Sequence, residues 1–112
     1  MTLDRAQELP GLEVLVDRRG NTVVLCLVGE LDITNATSLA DAFDAQDAPM
    51  AAVVVDLNGL TFCDSSGIRT FGRIARRCDE REIPLSIVGA RPSVRRVLEI
   101  AGVTEMLHLA AE

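Results

Sequence analysis

The 112-residue sequence predicts an α/β fold in which a mixed sheet of about four to five strands carries about three to four helices. Three valines at positions 53–55 are typical of a strand that is buried on both faces. After Asp64 the apolar residues recur at spacings of three or four, which indicates one face of a helix. Near the N-terminus, two apolar stretches flank the turn sequence Arg19-Gly20-Asn21 and favour an antiparallel hairpin.

The hairpin opens the predicted domain. Residues 1–10 are polar, so we expect a flexible leader there and a single domain over residues 11–112. From residue 12 apolar and polar side chains alternate, which predicts a first strand with one solvent-exposed face. The second, more apolar strand is predicted at Thr22–Val28.

Beyond the hairpin, helical and extended patterns alternate. Thr34 or Asn35 can cap a first helix, which ends before Pro49. The remaining predicted elements are, in order, a strand at Val53–Leu57, a helix opening at Asp64 or Ser65, a strand at Leu85–Val88, a helix from Pro92, and a final edge strand at Met106–Leu109. Strands joined by helices run parallel through right-handed crossovers, so the later strands should be parallel.

Composition narrows the function classes. A net charge of −6 argues against nucleic acid as a partner, because phosphate backbones are bound by clustered basic residues. The three cysteines, an odd number, are Cys26, Cys63 and Cys78, and without a Cys-x-x-Cys spacing they predict neither disulfides nor a zinc site. We expect reduced core cysteines, no cofactor, no membrane insertion and a cytoplasmic location, since no apolar run is long enough to span a membrane.

The tetrapeptide Asp64-Ser65-Ser66-Gly67 marks the start of the second helix. Asp64 and Ser65 are both good N-cap residues, and the sequence leaves open which of them caps. If Asp64 caps, the Ser65 hydroxyl is free to face solvent at a helix N-terminus, where an added phosphate would be tolerated. Taken alone, the tetrapeptide is more often a simple cap than a modification site.

Two polar loops should meet at one edge of the sheet. Gly29-Glu30-Leu31-Asp32 follows the second predicted strand, and Asp64-Ser65-Ser66-Gly67, which we call the Asp64 corner, follows the next one. The carboxyl ends of parallel strands lie on one rim, where ligands and partners meet the loops. The two loops together predict a recognition surface.

Three segments resemble the STAS domain in its small stand-alone bacterial form, the anti-sigma factor antagonist. They are Gly29-Glu30-Leu31-Asp32, the stretch from Val55-Asp56-Leu57 through Phe62-Cys63-Asp64-Ser65-Ser66-Gly67-Ile68, and the closing helix Arg91-Pro92-Ser93-Val94-Arg95-Arg96-Val97-Leu98-Glu99-Ile100-Ala101-Gly102. With the order of the elements, the resemblance covers nearly everything from Leu12 to Leu109.

The resemblance implies a switch by partner exchange. Members of this family bind an anti-sigma factor that is itself a serine kinase, release its sigma factor, and are reset by a serine phosphatase. By resemblance, Ser65 is the phosphorylated residue. Asp64, Ser66 and Gly67 would shape the loop, and Asp32 would face the partner from the neighbouring loop. We expect a monomer when the protein is free.

Arg69 departs from the pattern of many members, which carry a small residue there. It could touch the partner, or fold back on a phosphate at Ser65 across one helical turn. It could also belong to an ordinary solvated helix face shared with Arg73, Arg76 and Arg77.

Two other readings compete with the antagonist. An enzyme is disfavoured: a triad of Ser65 or Ser66 with His108 lacks the Gly-x-Ser-x-Gly elbow, and no phosphate-binding Gly-x-x-x-x-Gly-Lys loop is present. A non-catalytic STAS subunit of a lipid or anion transporter, or of a stress-sensing scaffold, shares the predicted fold. The complete Asp-Ser-Ser-Gly motif with its first serine favours the antagonist.

Overall fold

A computed structural model describes residues 3–46 and 49–102. Its elements are β1 (Leu3–Leu9), β2 (Leu12–Arg19), β3 (Thr22–Leu31), α1 (Ala36–Asp44), β4 (Ala52–Cys63), α2 (Ser65–Glu80), β5 (Leu85–Val88) and α3 (Pro92–Ile100). The five strands form one sheet in the order β1-β2-β3-β4-β5. The first three are antiparallel, whereas β4 runs parallel to β3 and β5 parallel to β4. The predicted mixed α/β fold is confirmed.

The prediction of a flexible leader over residues 1–10 is wrong for Leu3–Leu9, which form the edge strand β1. The backbone of β1 pairs with β2, and an edge strand can carry polar side chains because one of its sides faces solvent. The turn after β1 is also attached to the end of β3, since Gly11 O accepts a hydrogen bond from Glu30 N at 2.9 Å. The edge strand predicted at Met106–Leu109 lies outside the described residues.

Strands β3 and β4 run further than their apolar segments predict. The ladder between them continues to the pair Leu31 and Cys63, with irregular register near Val28 and near Glu30. These irregularities allow the pairing to continue past the polar residues that interrupt the apolar pattern in β4. As a result both strands end together, and the loops that follow them share one rim, as the parallel arrangement predicts.

The core lies between one face of the sheet and the helices. Alternate residues of β2, β3 and β4, such as Val14, Leu25 and Val55, are buried with Phe71 of α2 and Leu98 of α3 in a single apolar cluster. On the opposite sheet face, residues such as Leu15, Val24 and Val54 are only half-buried. The helices are therefore fixed against the strands whose ends carry the rim.

Candidate functional site at the ends of β3 and β4

Asp64 is the residue that caps α2. Its backbone is extended, and its Oδ1 accepts hydrogen bonds from Ser66 N at 2.8 Å and from Gly67 N at 3.3 Å. These two amides belong to the first turn and have no partner within the helix. Of the two capping residues that the sequence leaves open, the structure selects Asp64, which leaves Ser65 as the first helical residue.

The two serines of the motif have different environments. Ser65 is exposed, and its side chain makes no hydrogen bond to any described residue. Ser66 is only 9% exposed, and its Oγ accepts a hydrogen bond from Arg69 Nη2 at 3.5 Å. An external reagent or enzyme therefore meets the hydroxyl of Ser65 and not that of Ser66.

Gly67 allows α2 to start close to the sheet. A Cβ at this position would lie 2.6 Å from Cys63 Sγ and 2.9 Å from Leu31 Cδ2. Both distances are shorter than real contacts, so a side chain at residue 67 would push the helix away from β3 and β4. The glycine thus fixes where Ser65 stands relative to the rim.

The loop after β3 is an Asp32-centred turn. Asp32 Oδ1 accepts a hydrogen bond from Thr34 N at 2.9 Å, and its carbonyl oxygen accepts one from Ala36 N at 2.9 Å. The Asp64 corner joins the same strand end through Asp64 N, which donates to Leu31 O at 3.3 Å. The sequence prediction that the two loops share one rim is borne out by this contact.

Asn35 has a role that its capping chemistry does not predict. It occupies the N-cap position of α1 but makes no side-chain hydrogen bond to the helix. Its Nδ2 donates to Pro10 O at 2.6 Å and Glu30 O at 2.8 Å, and its Oδ1 accepts from Asp32 N at 3.0 Å. The buried Asn35 amide therefore joins the β1–β2 turn, the end of β3 and the Asp32 loop.

Arg69 differs from the other arginines of α2 that face α1. Arg73 Nη2 lies 2.6 Å from Asp44 Oδ2, and Arg77 Nε lies 3.2 Å from Asp44 Oδ1. The hydrogen bond from Arg73 to Asp44 raises the pKa of the Arg73 guanidinium further. Arg69 is exposed, and no described carboxylate lies within ion-pair distance of it. Arg73 and Arg77 therefore belong to an ion-paired part of the helix face, whereas Arg69 is exposed without a described carboxylate partner.

Two exposed apolar side chains flank the serine loop and were not singled out from the sequence. Ile33, in the Asp32 loop, is 77% exposed, and Phe62, next to the end of β4, is 48% exposed. An isoleucine between Asp32 and Thr34 in a predicted polar loop is the signal that could have identified the first. Phe62 could not be identified, because its apolar character fits an ordinary strand residue equally well.

A shallow groove of about 210 Å³ runs between α1 and α2 beside the rim. It is lined by Ile33, Ala36, Thr37, Ser66, Arg69, Thr70 and Arg73. The Thr70 hydroxyl is already used, since its Oγ1 donates to Ala36 O at 3.0 Å. The groove thus offers apolar carbon from Ile33 together with the guanidinium of Arg69, which has no ion-pair partner among the described residues.

The described residues hold no constellation for metal or thiol chemistry. No group of three or more potential metal-ligating side chains occurs within residues 3–46 and 49–102. Burial, followed by the negative charge of Asp64, raises the pKa of the Cys63 thiol to about 12, so the thiol is protonated at neutral pH. His108 lies outside the described residues. None of the described helices is long and apolar enough to cross a membrane.

A mixed five-stranded sheet that carries a capped Asp-Ser-Ser-Gly loop at the end of its parallel strands defines the STAS class of domain. The chain belongs to the STAS domain family, because the family model described as "Mlab, STAS domain" matches residues 14–109. The resemblance stated from the sequence is therefore confirmed.

Three curated relatives of the chain carry the name of anti-sigma factor antagonists. The chain is 28% identical to the "Putative anti-sigma factor antagonist BtrV" of Bordetella bronchiseptica, over 88% of this chain and 86% of the relative. A crystal structure of an anti-sigma factor antagonist from Mycobacterium paratuberculosis is 26% identical and superposes with a TM-score of 0.75, over 90% and 86% of the two chains. The Bacillus antagonist SpoIIAA has the same fold in its unphosphorylated and phosphorylated forms, with TM-scores of 0.70 and 0.66 at 22% identity. These alignments cover 88% of this chain in each case, and 89% and 92% of the two SpoIIAA chains.

Proposed function

We propose that the protein is an anti-sigma factor antagonist that binds an anti-sigma factor serine kinase, releases a sigma factor, and is switched off by phosphorylation of Ser65. The observation that carries the proposal is the free, exposed Ser65 hydroxyl at the first position of α2, beside a serine that is buried. The antagonist relatives support the partner class. The complex would form in the cytoplasm, with a free protein that is monomeric.

The chemistry of the switch is a phosphoryl transfer and its reversal. The kinase transfers the γ-phosphoryl group of ATP: a bond forms between Ser65 Oγ and phosphorus, the bond to ADP breaks, and the hydroxyl proton is released. A serine phosphatase then hydrolyses the ester with water and returns the hydroxyl and inorganic phosphate. In this proposal the kinase and the phosphatase supply the catalytic groups for the two steps.

The local geometry keeps the switch on the surface. Asp64 already satisfies the amides of Ser66 and Gly67, so a phosphate on Ser65 is not needed to cap the helix. The phosphate adds about −1.5 to −2 charges beside the Asp64 carboxylate, on a chain whose net charge is −6. The fold stays intact while the rim becomes more negative.

The expected partner surface consists of Asp32, Asp64, Ser65, Ser66, Gly67 and Arg69. When the kinase covers this surface, a phosphate on Ser65 must be desolvated without a matching group on the kinase. The hydrogen bonds that the serine hydroxyl would make with the kinase are also lost. A cost of about 3 kcal/mol weakens binding roughly a hundredfold. One modification is therefore enough to dissociate a complex of ordinary affinity.

The test combines modification and binding. The protein is incubated with ATP and each recombinant anti-sigma factor kinase encoded in the same genome, and intact mass with peptide mapping locates the phosphoryl group. We expect one group, on Ser65. Ser65→Ala should remain unmodified and keep binding the kinase, whereas Ser65→Glu should fold normally and bind at least about a hundredfold more weakly.

Ser93→Glu provides the matched control, because Ser93 is also an exposed serine in the first turn of a helix, α3. This variant should bind the kinase like the unmodified protein. Equal binding by Ser65→Glu and Ser65→Ala, or phosphorylation at a residue other than Ser65, would refute the switch.

A further inference from the structure

Arg69 is the arginine of the expected partner surface, and no described carboxylate pairs with it. Its neighbour Arg73 is held by Asp44 and Asp41, and Arg77 by Asp44. The only described contact of the Arg69 guanidinium is the 3.5 Å hydrogen bond to Ser66 Oγ, which is at the limit of hydrogen-bond length. On a chain of net charge −6, this guanidinium places positive charge next to Ser65 and Ser66.

The groove beside Arg69 has the dimensions of a side-chain pocket. Its volume of about 210 Å³ is below the roughly 300–1,000 Å³ of small-molecule sites. Ile33, which is 77% exposed, provides the apolar surface on the α1 side, whereas Ala36 is only 4% exposed. A projecting aliphatic side chain of a protein fits this groove better than a free metabolite does.

We infer that the groove between α1 and α2 recognises an element of the anti-sigma kinase that carries an aliphatic side chain next to a carboxylate. The aliphatic group packs on Ile33, and the carboxylate accepts hydrogen bonds from Arg69. This inference rests on the proposed function for the identity of the partner. A guanidinium that becomes covered by a partner needs an anionic acceptor, and its planar donors match a carboxylate.

The same guanidinium is within reach of a phosphate on Ser65. Residues 65 and 69 are one helical turn apart, and the Arg69 side chain already bends back over the first turn to reach Ser66. Phosphorylation would therefore draw Arg69 away from the carboxylate of the kinase. The modification would act twice, by adding a negative charge and by occupying the cation that binds the partner.

A binding series with the kinase that modifies Ser65 tests the partner contact. Arg69→Gln should weaken binding about 10- to 100-fold, as expected for the loss of a charge-assisted hydrogen bond. Arg76→Gln is the matched control, because Arg76 is exposed on the same helix but lies about 16 Å from Ser65 along the helix axis. It should change affinity by less than about twofold.

The apolar half of the site has its own matched pair. Ile33→Ala should weaken binding about tenfold, whereas Ile100→Ala should not, although the two side chains are 77% and 76% exposed. Neither substitution removes a buried group, so both variants should fold. Equal affinities for Arg69→Gln and the unmodified protein would overturn the inference while leaving the switch in place if Ser65→Glu still fails to bind.

The phosphate contact can be tested without any kinase. Phosphoserine is incorporated at position 65 during translation, and the second pKa of its phosphate is followed by ³¹P NMR. Arg69 favours the dianion, so Arg69→Gln should raise this pKa by about 0.5 units and Arg76→Gln should leave it unchanged. A phosphate pKa that does not respond to Arg69→Gln would overturn the competition for the guanidinium, whatever the kinase experiments show.

Discussion

At the scale of single residues, the geometry of the rim depends on the Asn35 side chain. Its three hydrogen bonds reach Pro10, Glu30 and Asp32, and Asn35 itself is 1% exposed. A buried amide that satisfies two carbonyl oxygens and one backbone N–H leaves three unpaired polar groups when it is removed. The orientation of the Asp32 loop therefore rests on one residue that does not itself face a partner.

Asn35→Ala should lower the free energy of unfolding by about 2–4 kcal/mol, because buried polar groups lose their partners. The loss should be local as well as global. Amide hydrogen exchange should accelerate in the Asp32 loop and in the β1–β2 turn before it does in β4. Urea denaturation and hydrogen exchange measure the two effects.

Thr34→Ala is the control for Asn35, since Thr34 is adjacent and exposed and contacts only Asp32 among the described hydrogen bonds. We expect a change within about 0.5 kcal/mol. If Asn35→Ala were as mild as Thr34→Ala, the Asn35 amide would not be the anchor of the rim.

At the scale of elements, substitutions at the two glycines of α2 distinguish the effect of packing on stability from the effect of helix propensity. Gly67 faces the ends of β3 and β4 with no room for a methyl group, whereas a Cβ at Gly72 would meet nothing within 4 Å. Both residues lie in the same helix. The backbone propensity term is thus similar at the two positions, and the space available differs.

Gly72→Ala should stabilise the protein by about 0.5–1 kcal/mol, because alanine is the better helix former. Gly67→Ala should destabilise it by about 1–3 kcal/mol, since the methyl group would clash with Cys63 and Leu31. Urea denaturation of both variants gives the two signs. A stabilising Gly67→Ala would show that the start of α2 is not packed tightly against the sheet.

The sequence predicted helices and strands where burial sets a period. The valine run of β4 and the apolar face of α2 can be recognised in the sequence for this reason. Strand β1 was missed because backbone pairing at a sheet edge leaves no apolar period, and the far ends of β3 and β4 were missed because their ladder continues through polar residues. Asp64 and Ser65 could not be ranked as caps, since both side chains have the required oxygen.

At the scale of the whole molecule, the sequence predicted that the two loops share one rim, but it predicted only some of the residues that shape this rim. Parallel topology alone brings the Asp32 loop and the Asp64 corner to one edge of the sheet. The role of Asn35 depends on where the β1–β2 turn meets the end of β3, and the groove beside Arg69 depends on where α1 packs against α2. No local pattern encodes that packing, so these features require the tertiary structure.

The chain also has an unusual set of titrating groups at high pH. It contains no lysine and no tyrosine, and all eleven basic residues are arginine. Above pH 9, Cys26, Cys63 and Cys78 are therefore the only side chains that lose protons before arginine does. Burial is the main cause that raises the pKa of each thiol, and for Cys63 the pKa reaches about 12.

This set of groups predicts the alkaline stability of the fold. In the unfolded chain the thiols ionise near their ordinary pKa of about 8.5, whereas folded Cys63 keeps its proton up to about pH 12. Unfolding therefore releases protons in this window, so the free energy of unfolding is independent of thiol ionisation below about pH 8 and falls above it. Each protected thiol contributes a slope of up to about 1.4 kcal/mol per pH unit. Urea denaturation at intervals from pH 8 to 11.5 should show this decline, and Cys63→Ala should make it shallower by about one thiol's slope, whatever the variant's stability at pH 8. An unchanged slope in Cys63→Ala would mean that the Cys63 thiol ionises as readily in the folded protein as in the unfolded chain.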